Sequence, residues 1–134
     1  MISKSVINGG VYYVKDLAIS LPPNDGRNYH DERRPVVVLS GPNTNSVAGW
    51  PTVLVAPIST STTLKTEYCV KLRASEGGLP KKCWVRVVAV QPLLKSDLQD
   101  HLGVLTAERL EEIQARLFQY MGLNIDEPDD GELS

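Results

Sequence analysis

The feature that most constrains the fold is the unbroken apolar run at residues 35–39, Pro-Val-Val-Val-Leu. A strand with one face in water alternates apolar and polar side chains, whereas this run presents apolar side chains to both faces. The run therefore predicts a strand that the rest of the chain covers on both sides.

Four further segments have the composition of strands, because they are rich in β-branched and aromatic residues and are bounded by Gly, Pro or polar residues. They cover residues 11–14, 52–58, 67–72 and 83–90. Pro57 predicts an edge position or a bulge near the end of the 52–58 strand, since proline cannot donate a ladder hydrogen bond. A Gly-Gly pair at 77–78 predicts the turn of a hairpin between the last two strands.

The sequence period changes to that of a helix in the last third of the chain. Thr106 can cap the start of this helix, and Gly122 is a natural stop. Apolar residues recur between them at helical spacing, at Leu110, Ile113, Leu117 and Met121. Residues 124–134 are acidic and include a proline, which predicts a disordered tail after a single domain at 1–123.

A series of short strands followed by one amphipathic helix predicts a mainly β fold. The expected form is a small, strongly bent sheet or partly open barrel with the C-terminal helix packed on it. The stretch 20–34 holds two prolines and a glycine and shows neither a strand period nor a helix period. Loops of this length inside a compact domain are usually functional or mobile.

The formal net charge of −2 is unevenly distributed along the chain. Residues 1–100 hold 12 Lys and Arg against 8 Asp and Glu, a net of +4, whereas residues 101–134 hold 2 against 8, a net of −6. A basic body followed by an acidic helix and tail can still present a positive face to phosphate groups. The charge distribution therefore permits nucleic-acid binding without establishing it.

The two cysteines, Cys69 and Cys83, flank a predicted turn and could form a disulfide across a hairpin. A reducing compartment favours two half-buried thiols instead. Neither cysteine belongs to a metal-binding spacing with the two histidines, so we expect no metal ion or other cofactor.

No apolar run approaches the roughly 20 residues of a membrane span. The N-terminus also lacks a signal peptide's apolar core, so we expect a cytoplasmic protein that does not bind membranes.

Charged residues crowd the end of the 20–34 loop, where His30, Glu32, Arg33 and Arg34 precede the first apolar strand residues. One interpretation is a solvated turn whose charges neutralise each other. The other is a phosphate site, because Pro35 restricts the backbone of Arg34 and the buried strand beyond it is rigid. A guanidinium is planar, permanently charged and bidentate, which suits it to hold a phosphate.

Hydroxyl groups form a second cluster at residues 59–63, Ser-Thr-Ser-Thr-Thr, directly after a predicted strand. Such a loop often satisfies only its own backbone. Hydroxyls at a strand end can also donate hydrogen bonds to the non-bridging oxygens of a phosphate.

Several motifs occur in a fixed order around these two clusters. They are Arg-Arg-Pro-Val-Val-Val-Leu-Ser at 33–40, Gly-Trp-Pro-Thr at 49–52, Val-Ala-Pro-Ile-Ser-Thr at 55–60, Gly-Leu-Pro-Lys at 78–81, and Leu-Thr-Ala-Glu-Arg-Leu at 105–110, which opens a helix ending Met-Gly-Leu at 121–123. From about residue 8 to residue 123, this ordered set resembles the MazF/PemK toxins of bacterial toxin–antitoxin pairs.

The resemblance implies an SH3-like barrel, usually a homodimer, that cuts single-stranded mRNA at short sequences without a metal and is held by a cognate antitoxin. The family's catalytic arginine, before the proline of the second strand, falls on Arg34. Its catalytic threonine falls on Ser59 in an ungapped match. A one-residue bulge after Pro57 would bring in Thr60 instead.

The chain departs from the family on the strand after the Gly-Leu-Pro turn. Many members carry an acidic residue, a glutamine and a basic residue there, and these positions read Val88, Ala89 and Gln91. A two-residue gap would instead align Gln91 with the family glutamine. The departure bears on which RNA sequence is cut, because these positions contact substrate in the family.

The implied chemistry is attack of a ribose 2′-hydroxyl on the adjacent phosphorus, giving a cyclic phosphate and a free 5′-hydroxyl. Arg34 and the hydroxyl of Ser59 or Thr60 would stabilise the charged transition state. Further contacts to RNA phosphates are expected from Arg27, Arg33 and Lys81. For proton transfer the candidates are His30 and Glu32. An arginine is a poor base because its guanidinium stays protonated. An exposed histidine without a role is the alternative for His30.

Two other functions stay open. A barrel of this shape could poison a protein target, as the gyrase toxins do, but those use a Trp-Gly-Leu helix ending where this chain has Met-Gly-Leu. A family member without catalytic activity could also bind RNA and leave it intact.

Overall fold

Strands dominate the computed structural model, which describes residues 6–21, 33–62 and 65–123. The strands of this part of the chain are β1 (Gly10–Lys15), β2 (Arg33–Val38), β3 (Thr52–Ser59), β4 (Val70–Leu72), β5 (Cys83–Val85), β6 (Gln91–Leu94) and β7 (His101–Val104). The helices are α1 (Pro42–Asn45) and α2 (Ala107–Tyr120), and 3-10 turns occupy Asp16–Ala18, Glu76–Gly78, Val87–Ala89 and Lys95–Asp97. The expected disordered tail at 124–134 lies outside the described residues.

All the strand pairs are antiparallel, in the order β4-β5-β3-β2-β1-β7, with β6 also paired to β3. β3 is the centre of this arrangement because it changes partner along one edge. Residues 52–55 pair with β6, and residues 58–59 pair with β5. A strand that joins two sets of partners makes a corner in the sheet. The prediction of a mainly β, bent sheet that carries a C-terminal helix is confirmed.

Pro57 lies at the point where β3 changes partner. Its carbonyl accepts a hydrogen bond from the backbone N–H of Arg86 at 2.8 Å, and the N–H that proline lacks falls between the two ladders. The edge position predicted for Pro57 is wrong, since β3 is an interior strand paired on both sides. The register with β2 is also regular at Pro57, without a bulge.

The sheet has apolar cores on both faces, as the 35–39 run predicts. Val37 belongs to a core with β4, β5 and helix α2, whereas Val36 and Val38 belong to a second core with β6. All three valines are completely buried. Their alternation between two cores explains why this strand has no polar face.

Helix α2 begins and ends where the sequence predicts. The hydroxyl of Thr106 accepts a hydrogen bond from the backbone N–H of Arg109 at 3.2 Å, and Gly122 follows the helix with a φ of +88°. Ile113 is fully buried against the sheet. Met121, expected on the apolar face, is instead 60% exposed because the helix has ended before it.

Strand boundaries differ from the sequence prediction by two residues or more in three places. β2 begins at Arg33, two residues before the apolar run, and β4 spans only the last part of the predicted 67–72 strand. The predicted 83–90 strand ends at Val85, where the chain makes a 3-10 turn before β6. β6 and β7 have no strand signature because one contains a proline and the other a glycine.

None of the helices in the described part of the chain is long and apolar enough to cross a membrane.

Candidate functional site

A pocket of about 410 Å³ opens where β2 and β3 meet the loop before β5. Five of the residues that the sequence predicts for the site line this pocket, namely Arg33, Arg34, Ser59, Thr60 and Lys81. The other lining residues are Tyr13, Pro35, Ile58, Ser61, Leu79, Pro80 and Cys83. The other three predicted residues, Arg27, His30 and Glu32, lie outside the described residues. The pocket therefore combines three cationic side chains with the hydroxyl cluster.

Arg34 is fixed in the pocket wall by a hydrogen-bonded ion pair. Its Nε donates to Oδ1 of Asp16 at 3.0 Å, and its Nη1 lies 3.5 Å from the carbonyl oxygen of Ile58. The side chain is 23% exposed. Among the described residues, Nη2 contacts no acceptor, so the guanidinium is oriented from one side and keeps donors for a ligand.

Asp16 is the site residue that sequence reasoning missed. It begins the 3-10 turn after β1 and is only 4% exposed. A buried carboxylate requires a cationic or hydrogen-bonding partner, and Arg34 supplies one. The sequence gives only a weak signal for Asp16, because an arginine anchored beside a buried strand is expected to have a carboxylate partner. Residues 1–100 contain eight Asp and Glu residues, and the sequence does not show which of them is that partner.

Arg33 faces a different environment from Arg34. Its guanidinium carbon lies 4.3 Å from the ring centroid of Tyr13, and its Nη1 pairs with Asp100 at 2.5 Å. Both members of this ion pair are exposed, so water screens it and a competing anion can displace Asp100. Arg33 is therefore a more mobile cation than Arg34 at the pocket rim.

Ser59 and Thr60 both line the pocket, but only Ser59 belongs to the strand. Val36 of β2 pairs with Pro57 of β3, and Arg34 and Ser59 each lie two residues further along their strands. Side chains two residues apart share a face, so Arg34 and Ser59 lie on the same side of the sheet. Ser59 Oγ also accepts a hydrogen bond from the backbone N–H of Ser61 at 3.1 Å, which orients the hydroxyl.

Val88, Ala89 and Gln91 do not line the pocket. The first two belong to the 3-10 turn before β6. The side-chain amide of Gln91 is bonded to the backbone of Ser20, accepting from its N–H at 3.1 Å and donating to its carbonyl at 2.8 Å. Gln91 thus anchors the start of the long loop in this structure.

Both cysteines are free thiols, as the reducing-compartment interpretation predicts, and the alternative disulfide is not formed. They differ in environment. Cys69 is half-buried, whereas Cys83 is buried and lines the pocket. Burial, reinforced by the negative charge of Glu76, raises the pKa of the Cys83 thiol to about 11.

We expect alkylating reagents to modify Cys69 long before Cys83 in the native protein. At pH 8 a thiol with a pKa of about 11 is thiolate in only about one molecule in a thousand, and the thiolate is the reactive form. Iodoacetamide labelling followed by peptide mass spectrometry measures the two rates. Unfolding in urea should make the two rates similar, and equal rates in the native state would contradict the buried position of Cys83.

A family model described as PemK-like, MazF-like toxin of type II toxin–antitoxin system matches residues 16–121. No curated protein sequence matches the chain.

Solved structures with a similar fold cover nearly all of the chain. One is an endoribonuclease from Mycobacterial species, 20% identical with a TM-score of 0.65, covering 92% of this chain and 97% of that one. A second is the Mycobacterium tuberculosis toxin MazF-mt6, 22% identical with a TM-score of 0.64, covering 86% and 98%. A third is from the MazE–MazF structure of Deinococcus radiodurans, 19% identical with a TM-score of 0.65, covering 91% and 100%.

Proposed function

Because the chain belongs to the PemK-like, MazF-like toxins of type II toxin–antitoxin systems, we propose that it is a metal-independent endoribonuclease that cuts single-stranded mRNA at short sequences. Cutting mRNA stops translation and growth. The observation that carries the proposal is Arg34, a half-buried cation held by Asp16 in a pocket shared with the Ser59 hydroxyl. Similar structures bear the name endoribonuclease or MazF, which agrees with this reaction.

In the proposed reaction the ribose 2′-oxygen forms a bond to phosphorus while the bond from phosphorus to the 5′-oxygen breaks. The products are a 2′,3′-cyclic phosphate and a 5′-hydroxyl. Negative charge grows on the non-bridging oxygens of the phosphate in the transition state. In this proposal Arg34 stabilises that charge, and its ion pair with Asp16, which fixes the guanidinium's orientation, supports the role because little reorganisation would be needed during the reaction.

We assign the hydroxyl role to Ser59 in preference to Thr60. Ser59 is half-buried at the end of β3, on the same face as Arg34, whereas Thr60 is exposed beyond the strand. A donor on a regular strand is held more precisely than one on a loop. Lys81 and Arg33, at other points of the pocket, would bind the phosphates that flank the cut.

The proposed reaction needs one group to remove the 2′-hydroxyl proton and another to protonate the leaving 5′-oxygen. His30 and Glu32 remain the predicted groups, because an imidazole and a carboxylate can each accept and return a proton, whereas a guanidinium stays protonated. Arg27 remains a predicted phosphate contact. All three precede Arg33, which lines the pocket, by no more than six residues.

We also propose a homodimer in the cytoplasm that is inhibited by a small antitoxin. Several of the similar structures are described as complexes, among them an endoribonuclease with its cognate antitoxin and MazE–MazF. For this chain the expected inhibitor carries a disordered acidic segment that folds over the cationic pocket as it binds. Such a segment would compete with RNA for Arg33, Arg34 and Lys81.

The proposal is tested by incubating the purified protein with a long single-stranded RNA of mixed sequence in EDTA. We expect discrete fragments with 2′,3′-cyclic phosphate and 5′-hydroxyl ends, identified by enzymatic end-labelling and mass spectrometry. An RNA with 2′-O-methyl groups at every position should stay intact, because it lacks the attacking hydroxyl. Cleavage that stops in EDTA and returns with Mg²⁺ would contradict the metal-independent mechanism.

The same experiment separates the two alternatives. RNA that binds tightly and stays intact would identify a relative without catalytic activity. RNA that neither binds nor breaks, together with growth arrest on expression, would indicate a protein target such as gyrase. The Met-Gly-Leu helix ending at 121–123, in place of Trp-Gly-Leu, argues against the protein target.

A further inference from the structure

Trp84 lies beside the pocket, in the middle of a row that crosses three strands. In the ladders of β5 it pairs with Ser59 of β3 on one side and with Lys71 of β4 on the other. Directly opposed residues of antiparallel strands have their side chains on the same face, with Cβ atoms about 5 Å apart. The half-buried indole is therefore the immediate neighbour of the hydroxyl that lines the pocket.

Lysines surround this indole. The Nζ atoms of Lys65 and Lys82 lie 5.5 and 5.8 Å from the ring centroid, within the range of cation–π contacts. Lys71 is exposed on the neighbouring strand. We call these four residues, Lys65, Lys71, Lys82 and Trp84, the Trp84 platform.

No carboxylate in the described part of the chain neutralises the positive charge of the Trp84 platform. Within the described residues its three lysines form no ion pair, whereas Arg33, Arg73 and Arg109 are each paired with Asp or Glu. An exposed lysine that contacts only an aromatic face can move to a phosphate at little cost, since its ammonium stays hydrated. The platform is therefore a surface with free cations around a flat apolar ring.

This combination fits single-stranded nucleic acid. A base can stack on an indole whatever its sequence, and lysines follow the phosphates on either side. An acidic peptide would use the lysines but has no comparable need for the ring. We propose that the Trp84 platform binds an RNA nucleotide next to the phosphate held in the pocket. This subsite rests on the proposed function, since it places the flanking nucleotide relative to the phosphate beside Arg34 and Ser59.

The stacking contact is made by the bound substrate and is not specific to the transition state. Loss of the ring should therefore raise KM and leave kcat nearly unchanged. We expect W84A to weaken binding of single-stranded RNA about tenfold, the effect of losing one stacked base. W84F keeps an aromatic face and should retain most of the affinity.

The chain has two tryptophans, Trp50 and Trp84, which makes the test specific. Trp50 precedes β3 and does not line the pocket. In W50F the only indole is Trp84, and in W84F the only indole is Trp50. Titration with a 2′-O-methyl oligonucleotide of mixed sequence, which cannot be cleaved, should quench the fluorescence of W50F and barely change that of W84F.

Cleavage kinetics of the same variants, with folding checked by circular dichroism, complete the test. A raised KM in W84A with recovery in W84F supports the subsite. Wild-type cleavage with unchanged KM in W84A and no quenching in W50F overturns the subsite and leaves the proposed function standing. Quenching by the oligonucleotide without any RNA cleavage supports the subsite and refutes the nuclease. Quenching by polyglutamate and not by the oligonucleotide assigns the platform to an acidic protein partner and overturns the proposal.

Discussion

Replacing Arg34 with alanine is expected to slow RNA cleavage by at least about a hundredfold, the usual effect of removing one preorganised charged donor from a transition state. The loss should appear in kcat, because Arg33 and Lys81 still line the pocket and can bind the substrate phosphates. Single-turnover cleavage of an end-labelled RNA in EDTA measures the effect. R73A is the matched control, since Arg73 has a side chain that is 80% exposed and does not line the pocket.

The alanine variant removes this cation from the buried Asp16 carboxylate and can therefore lose stability. Two further variants separate folding from catalysis. R34K keeps a positive charge without the planar fork, and we expect it to fold and to cleave much more slowly than wild type. The double variant D16N/R34A removes both charges, so its melting temperature should recover relative to R34A while its activity stays low. Full activity in R34A would remove Arg34 from the site.

Replacing Gly78 with alanine is expected to destabilise the fold by about 2 to 4 kcal/mol. Gly78 has a φ of +77°, a conformation that strains any residue with a Cβ. Its Cβ would also meet the backbone carbonyl of Leu102. The opposing Gly103 is also crowded, since a Cβ there would lie 2.7 Å from the carbonyl carbon of Gly77. Urea unfolding monitored by tryptophan fluorescence measures the loss.

Gly49 supplies the matched control for Gly78. A Cβ added at Gly49 would meet no heavy atom of the described residues within 4 Å, and its φ is not positive. G49A should therefore leave the unfolding midpoint unchanged or raise it slightly, because alanine restricts the unfolded chain. A G78A midpoint equal to that of G49A would show that the turn at 76–78 does not pack closely on β7. Pocket residues Leu79, Pro80 and Lys81 follow this turn directly, so its displacement should also lower activity.

Local sequence determined the parts of this protein whose physical cause is local. The 35–39 run has no polar face, so it could only be a strand covered on both sides, and the valines divide between two cores. Thr106 and Gly122 delimit helix α2 because capping depends on a few neighbouring residues. The place of Arg34 beside Pro35 at the start of β2 is also a local property of the sequence, and Arg34 lines the pocket.

Only the tertiary structure decided which distant groups meet. Asp16 becomes the partner of Arg34 because β1 and β2 pair in one register. Trp84 becomes the neighbour of Ser59 because β3 changes partner at Pro57. Likewise, β6 and β7 form strands without a strand signature, since the ladders offered by β3 and β1 outweigh weak local preference. Pairing energies depend on contacts between residues far apart in sequence, and local patterns carry no information about those contacts.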